Sequence, residues 1–211
     1  MDWQRVPLGQ LQTNAYILKD DEGKCVIFDP GAEGERLVAM IKKRHLTPLA
    51  ILLTHAHFDH IGAITDLKKH WDIDVYLHEN EKDWLSNPIL NGSQFFMSAE
   101  IKASPADKLI KRQQDLTIGD FHFELYETPG HSPGSVSYYN EELDVVFCGD
   151  TLFRGSIGRT DLPGGNHSLL LNSIEKHILS LPEDTIVLPG HGPETTVDEE
   201  MATNPFLNGF S

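Results

Sequence analysis

Leu49-Ala50-Ile51-Leu52-Leu53-Thr54-His55-Ala56-His57-Phe58-Asp59-His60 is the stretch on which the fold turns. Leu49 to Thr54 is a short apolar run of the kind that forms a buried strand. It leads directly into His55, His57, Asp59 and His60, four ligand-type side chains within six residues. In an extended segment after a strand, His55 and His57 project to one side at i and i+2, while Asp59 and His60 enter the following helix on an adjacent side. One short segment can thereby serve two neighbouring metal ions. Imidazole nitrogen and carboxylate oxygen suit zinc, iron or manganese, and the absence of cysteine among them argues against a purely structural zinc site. A lone histidine is more often a satisfied core or surface residue. Four ligand types directly behind a buried strand are not explained that way.

Working outward, strands and helices take turns. Asn14 to Lys19 and Lys24 to Asp29 flank the turn Asp20-Asp21-Glu22-Gly23 and read as a hairpin ending at Pro30-Gly31. Leu37, Met40, Ile41 and Arg44 recur at helical spacing, with Lys42 and Lys43 toward water. Ile61, Ile64 and Leu67 mark a helix after the histidine cluster, and Val75 to Leu77 the next strand. From Ser86 to Ser104 no period survives, which predicts a long irregular insertion. Strands return at Phe121 to Thr128, Ser135 to Tyr139 and Val145 to Cys148. A helix over His167 to Leu181 follows, capped by Asn166 or Ser168, and Ile186 to Leu188 is expected as the last strand. Helix-then-strand leads into Thr54-His55 in one half and into Gly190-His191 in the other. Each half delivers a histidine at the C-terminal end of a strand, where open sheets gather ligands.

Three further candidates stand just past a strand beside glycine: His131 in Pro129-Gly130-His131-Ser132-Pro133-Gly134, Asp150 after Gly149, and His191 after Gly190. With Thr54-His55-Ala56-His57-Phe58-Asp59-His60 before them, in this order, the sequence resembles the metallo-β-lactamase-fold hydrolases. Thr128-Pro129-Gly130-His131-Ser132 and Gly149-Asp150-Thr151-Leu152-Phe153 look most like the glyoxalase II-like branch, the hydroxyacylglutathione hydrolases. The resemblance implies an α/β fold, a four-layer αβ/βα sandwich of two similar half-units within one domain over residues 1–211. It assigns His55, His57 and His131 to one metal, Asp59, His60 and His191 to the other, and Asp150 to the bridge. Two divalent ions are therefore expected, zinc first, with iron or manganese as alternatives. Type II glyoxalases generally append a helical domain after the last histidine that supplies much of the glutathione contact. Little sequence follows His191, so that domain is not expected here.

The mechanism implied is hydrolysis of a small acyl thioester by a metal-bridging hydroxide, because coordination lowers the pKa of water toward neutrality. Asp59 would orient the hydroxide, and a thiolate leaves without a general acid. Arg159, in the glycine-containing loop after Asp150, stands where the glyoxalase II pattern has a lysine that contacts a substrate carboxylate; the competing role is a brace paired with Asp161. The alternatives are a mononuclear iron persulfide dioxygenase using His55, His131 and Asp150, or another hydrolase of the fold acting on a lactone or ester. β-Lactamases of this fold generally lack the full second-metal set.

Composition narrows the partners. Lys and Arg number 17 against 32 Asp and Glu, net −15, which disfavours nucleic acid because phosphate binding needs a basic surface. Trp3, Trp71 and Trp84 accordingly read as packing. With 39% apolar residues, burial of roughly 70% of the unfolded surface is expected at this length. No stretch of about 18 apolar residues and no signal-like start occurs. Cys25 and Cys148 lie in apolar runs without CxxC spacing and read as buried thiols, so a cytoplasmic enzyme with a small-molecule thioester substrate and no membrane partner is expected.

Overall fold

The hairpin around Asp20-Asp21-Glu22-Gly23 is formed by β2 (Thr13–Lys19) and β3 (Lys24–Phe28), antiparallel with Tyr16 opposite Phe28. Asp20 Oδ1 accepts the N–H groups of Glu22 and Lys24, both at 2.9 Å, so the aspartate fixes the turn. These strands belong to a computed structural model that describes residues 1–207. The chain divides into two compact units, Met1–Lys111 with Ile118–Phe121, and Arg112–Thr117 with the chain from His122 onward.

In the first unit, β1 (Asp2–Leu8) pairs along the whole of β2, from Asp2 opposite Lys19 to Leu8 opposite Thr13. The sequence gives little sign of it, because most of its side chains are only half-buried and Pro7 interrupts the run. An edge strand tolerates both. After β3 the chain crosses through α1 (Gly34–Lys43) and returns as β4 (Thr47–Leu52), parallel to β3, followed by β5 (Asp74–His78) and β6 (Lys108–Ile110) in the order β1-β2-β3-β4-β5-β6. Between β4 and β5 the expected helix is two pieces, α2 (Phe58–Ile61) and α3 (Ile64–His70). The break is specified by packing: Gly62 and Ala63 donate their N–H groups to the Gly31 and Pro30 carbonyls, at 3.0 and 2.8 Å.

Alternate residues of the strands, Ala15 and Ile17, Cys25 and Ile27, Ile51 and Leu53, Val75 and Leu77, share one core with Leu37, Val38 and Ile41 of α1 and Ile64 and Leu67 of α3. Each fully buried Leu, Ile or Val contributes about 1.5–3 kcal/mol over the exposed state. Burial pushes the Cys25 thiol up to about 12, with the nearby Asp20 carboxylate adding to it. Because the thiolate is the reactive form, Cys25 should resist iodoacetamide at pH 8 in the native protein and react only in denaturant. Stoichiometric labelling of Cys25 under native conditions, read by peptide mass spectrometry, would contradict this.

Residues 86–104 contain no strand, as expected, and one short helix, α4 (Ser93–Phe96). Buried Asn91 organises the segment. Its Nδ2 donates to the Trp84 and Ile101 carbonyls, and its Oδ1 accepts the Ser93 N–H.

The second unit repeats the grammar. β7 (Gln114–Ile118), β8 (Phe121–Glu127), β9 (Val136–Asn140) and β10 (Val145–Gly149) lead through a hairpin, β11 (Leu152–Phe153) and β12 (Ser156–Ile157), to α5 (His167–Ser173). Asn166 is the cap, its side chain accepting the Leu169 N–H at 3.0 Å, and α5 continues into a π-helical turn over Ile174–Ile178. β13 (Ile186–Pro189) then lies parallel to β10 in the order β14-β13-β10-β9-β8-β7. It is not the last strand. β14 (Thr195–Thr196) and α6 (Val197–Thr203) follow, too short and too acidic to leave an apolar period; only Val197 and Glu200 of α6 are buried.

Both units thus run a set of antiparallel strands, then a helix, then a parallel strand that leads into histidine: β4 before His55 and β13 before His191. No helix among the described residues is long and apolar enough to cross a membrane.

Candidate metal centre

In the first unit the residues after β4 form a histidine cluster. The His55 ring centroid lies 4.8 Å from that of His57 and 4.0 Å from that of His60. All three side chains are buried. Their orientation is set by neighbours the sequence analysis did not single out. Asp29, just past β3, accepts the Thr54 N–H at 2.8 Å and the Thr54 hydroxyl at 2.6 Å, and its Oδ2 lies 3.0 Å from His60 Nδ1. Since the single Thr54 hydroxyl proton goes to Asp29, the 3.1 Å contact between Thr54 Oγ1 and His55 Nδ1 requires Nδ1 to be the donor. That tautomer leaves the His55 Nε2 lone pair for a ligand. Buried Glu81 accepts the Ala56 N–H at 2.6 Å and fixes the loop between His55 and His57, while the Thr13 hydroxyl donates to Asp59 Oδ2 at 2.7 Å. Trp84 packs beside the His57 ring at 5.5 Å.

In the second unit Asp150 follows β10 as Asp29 follows β3. Its Oδ2 lies 3.6 Å from Nε2 of His131 and 3.6 Å from Nε2 of His191. His131 Nδ1 is 2.8 Å from the Arg159 carbonyl, which can only accept, so this ring too carries its proton on Nδ1 and turns Nε2 toward the carboxylate. The 3.6 Å spacings are too long for hydrogen bonds. They match two donors on one ion: metal–nitrogen and metal–oxygen bonds of 2.0–2.2 Å at a tetrahedral angle put ligand atoms about 3.4 Å apart. Asp59 Oδ2 and His60 Nε2 in the first unit stand at the same 3.6 Å. These His and Asp donors fit divalent metal ions on their chemistry, their spacing and their backing by carbonyl, carboxylate and hydroxyl partners.

The hairpin after Asp150 is clamped by α6. Buried Glu200 accepts the Gly155 N–H at 2.9 Å, the Thr195 hydroxyl at 2.7 Å and the Asn204 amide at 2.7 Å, and Asn204 also donates to the Ser156 carbonyl. Arg159 forms a bidentate pair with Asp161, Nε to Oδ1 and a terminal nitrogen to Oδ2, both at 2.7 Å, and the guanidinium holds the Asp161 carboxyl down at about 2. The brace expected as one of its two roles is therefore present.

In four of the remaining histidines the side chain has a partner of its own. His70 Nδ1 faces Lys42 Nζ at 3.0 Å, His78 Nδ1 accepts the Asn80 N–H, and His122 meets Thr117. His177 lies in the π-helical turn: burial, helped by Lys176, pushes its pKa down, and the ring stacks on Tyr126 at 5.3 Å. Asp29 tests the backing of the donors. Asp29→Ala should weaken metal binding roughly 10–100-fold in competition with a chelator, because His60 and Thr54 lose their orienting partner. Unchanged affinity would remove Asp29 from the centre.

The chain matches the metallo-β-lactamase superfamily over residues 8–191. It is 58% identical to the "Probable metallo-hydrolase YqgX" of Bacillus subtilis and 38% identical to the "Hydroxyacylglutathione hydrolase GloC" of Haemophilus influenzae, in both cases over all of this chain and all of the relative. Among solved structures, the BLEG-1 B3 metallo-β-lactamase superposes with a TM-score of 0.97 at 56% identity, covering 99% of this chain and all of that one. TTHA1623 in a di-iron-bound form superposes with a TM-score of 0.86 at 44% identity, covering 97% of this chain and all of that one. With the fold, the ordered ligand motifs and these end-to-end matches in agreement, the chain belongs to the metallo-β-lactamase superfamily and is built as a metal-dependent hydrolase of that fold.

Proposed function

We propose that this chain hydrolyses small acyl thioesters of the hydroxyacyl-thiol type. His55, His57 and His131 would hold one divalent ion, Asp59, His60 and His191 a second, and Asp150 would be shared between them. The observation that carries the two-ion reading is the Asp150 carboxylate oxygen equidistant, at 3.6 Å, from two histidine Nε2 atoms. The thioester follows from the likeness to the hydroxyacylglutathione hydrolase, which this chain matches over that relative's full length. Zinc is the ion proposed, and the di-iron form of a similar protein makes iron the alternative to test.

Bound ions supply water ionisable near neutral pH and polarise the thioester carbonyl. The chain's part is positioning. Thr54 and the Arg159 carbonyl hold the His55 and His131 imidazoles in one tautomer, Asp29 stands 3.0 Å from His60 Nδ1, Glu81 fixes the loop between His55 and His57, and Thr13 fixes Asp59, which we assign to orienting the attacking water. A thiol of pKa about 8.5 leaves as its anion, so no side chain need protonate it.

The test is turnover of lactoylglutathione followed with an oxygen electrode, in air and under nitrogen. Equal rates without oxygen uptake are expected. No turnover of the thioester, with oxygen consumed in step with sulfite when glutathione persulfide is supplied instead, would replace the hydrolase by the dioxygenase. β-Lactam hydrolysis is a second reading, favoured by the 56% identity to a protein described as a B3 metallo-β-lactamase. Thioester kcat/KM should exceed that for a β-lactam by at least about 100-fold, roughly 2.7 kcal/mol of transition-state preference; the opposite ranking would select the second reading.

Arg159, about half exposed, is proposed to contact a remote substrate carboxylate in exchange for Asp161. Arg159→Ala should then raise KM for anionic thioesters about tenfold with kcat and metal content unchanged. Equal losses on charged and uncharged thioesters would leave it a brace alone.

A further inference from the structure

At Phe58 and Asp59 of the histidine-rich segment, the first unit contains a small, mostly apolar cleft walled by Leu8, Leu11, Ala32, Phe58, Met97 and Ile101, with Gln10 and Thr13 also lining it and Asp59 the only charged residue to do so among the described residues. Two of these walls, Met97 and Ile101, come from the irregular segment between β5 and β6. The space measures about 40 Å³. At some 10–15 Å³ for each water-sized group, that admits about three methyl-sized groups. Among the described residues no lysine, arginine or histidine lines it, so a carboxylate buried there would find no side-chain cation to pair with.

We infer that this cleft receives the acyl tail of the substrate and selects short, uncharged, aliphatic acyl groups of about two or three carbons beyond the carbonyl. The inference rests on the thioesterase reading above, because it is Asp59, there proposed to orient the attacking water, that brings the acyl carbonyl to the mouth of this cleft. Specificity for the acyl group would then be set by Met97, Ile101 and Phe58, while the carrier thiol is recognised elsewhere. In an apolar pocket each methylene that fits is worth about 10-fold or more in kcat/KM, and a charged isostere is rejected for want of a partner.

The experiment uses the full-length, metal-loaded protein and two independent readouts. In the first, kcat/KM is measured for acetyl, butanoyl, hexanoyl and succinyl thioesters of one thiol. Butanoyl should exceed acetyl at least tenfold, hexanoyl should fall below butanoyl, and succinyl should be rejected at least tenfold relative to butanoyl. Met97→Ala and, independently, Ile101→Ala should cut the butanoyl preference over acetyl to less than threefold. In the second, the methionine methyls are 13C-labelled; with four methionines in the chain, Met97→Ala assigns the Met97 signal. A non-hydrolysable butanoyl analogue, with a methylene between carbonyl and sulfur, should shift that signal and leave those of Met40 and Met201 in place.

Thioester turnover with a flat chain-length series and an unmoved Met97 signal would overturn the acyl cleft and leave the thioesterase reading standing. A shifted Met97 signal without turnover of any thioester would support the cleft and sink the thioesterase reading. Neither turnover nor shift would overturn both.

Discussion

Gly158→Ala should abolish most turnover and destabilise the protein by about 3 kcal/mol, the upper end of what overpacking usually costs. A β-carbon at Gly158 would lie 1.8 Å from the Asp150 carbonyl oxygen and 3.2 Å from His131 Cβ. A side-chain end could swing away, but this is backbone, and it is pinned: the neighbouring Gly149 carbonyl accepts the Gly190 N–H at 2.8 Å, and Thr151 N–H bonds the Cys148 carbonyl at 3.2 Å. The clash can only be relieved by moving the segment that carries Asp150 or the ring of His131. Displacement of catalytic groups by about 1 Å costs on the order of 100-fold. The expected result is kcat/KM reduced at least 100-fold, with Tm lower by roughly 6–12 °C for a domain of this size. The first unit contains a counterpart, since a β-carbon at Gly31 would stand 1.6 Å from the Asp59 carbonyl oxygen. Gly155→Ala is the control. Its β-carbon meets nothing within 4 Å, so it pays only for its φ of 65°, about 1 kcal/mol, with kcat/KM within tenfold of the parent. Wild-type activity and stability in Gly158→Ala would show that the Asp150 segment is not held as described.

Asp150→Asn should have the larger effect on chemistry and the smaller effect on the fold. The amide fills the same space, yet it carries no charge and turns hydrogens toward any cation placed between His131 and His191. If Asp150 is shared by two ions, both sites weaken together. We expect both ions to be lost on dialysis and kcat/KM to fall at least 1,000-fold, about 4 kcal/mol of transition-state stabilisation. A variant that keeps two ions and more than a tenth of the activity would remove Asp150 from the bridging role.

Much of this architecture was legible because it is written in local pattern. The apolar run before Thr54, the cluster from His55 to His60, and the glycine-flanked His131, Asp150 and His191 each announce themselves within a few residues. The echo of the two halves is likewise visible as strand ends that deliver histidine. The groups that aim the ligands are a different matter. Asp29 meets Thr54 across 25 positions, Glu81 meets Ala56 across 25, and the Arg159 carbonyl meets His131 across 28. A single carboxylate or carbonyl at such separation leaves no period, and only the folded chain reveals which donor it serves. β1, β14 and α6 were hidden for another reason. Their stability comes from ladder pairing and from the buried Glu200 network rather than from an apolar stripe that propensity could detect.

The central claim is a pair of ions, and the direct measurement is the metal-to-protein ratio of fully active protein, by elemental analysis, with activity followed as chelated metal is added back. The account predicts two ions per chain, with activity restored only as the second is bound. Full activity at one ion per chain, with no further metal taken up, would contradict it.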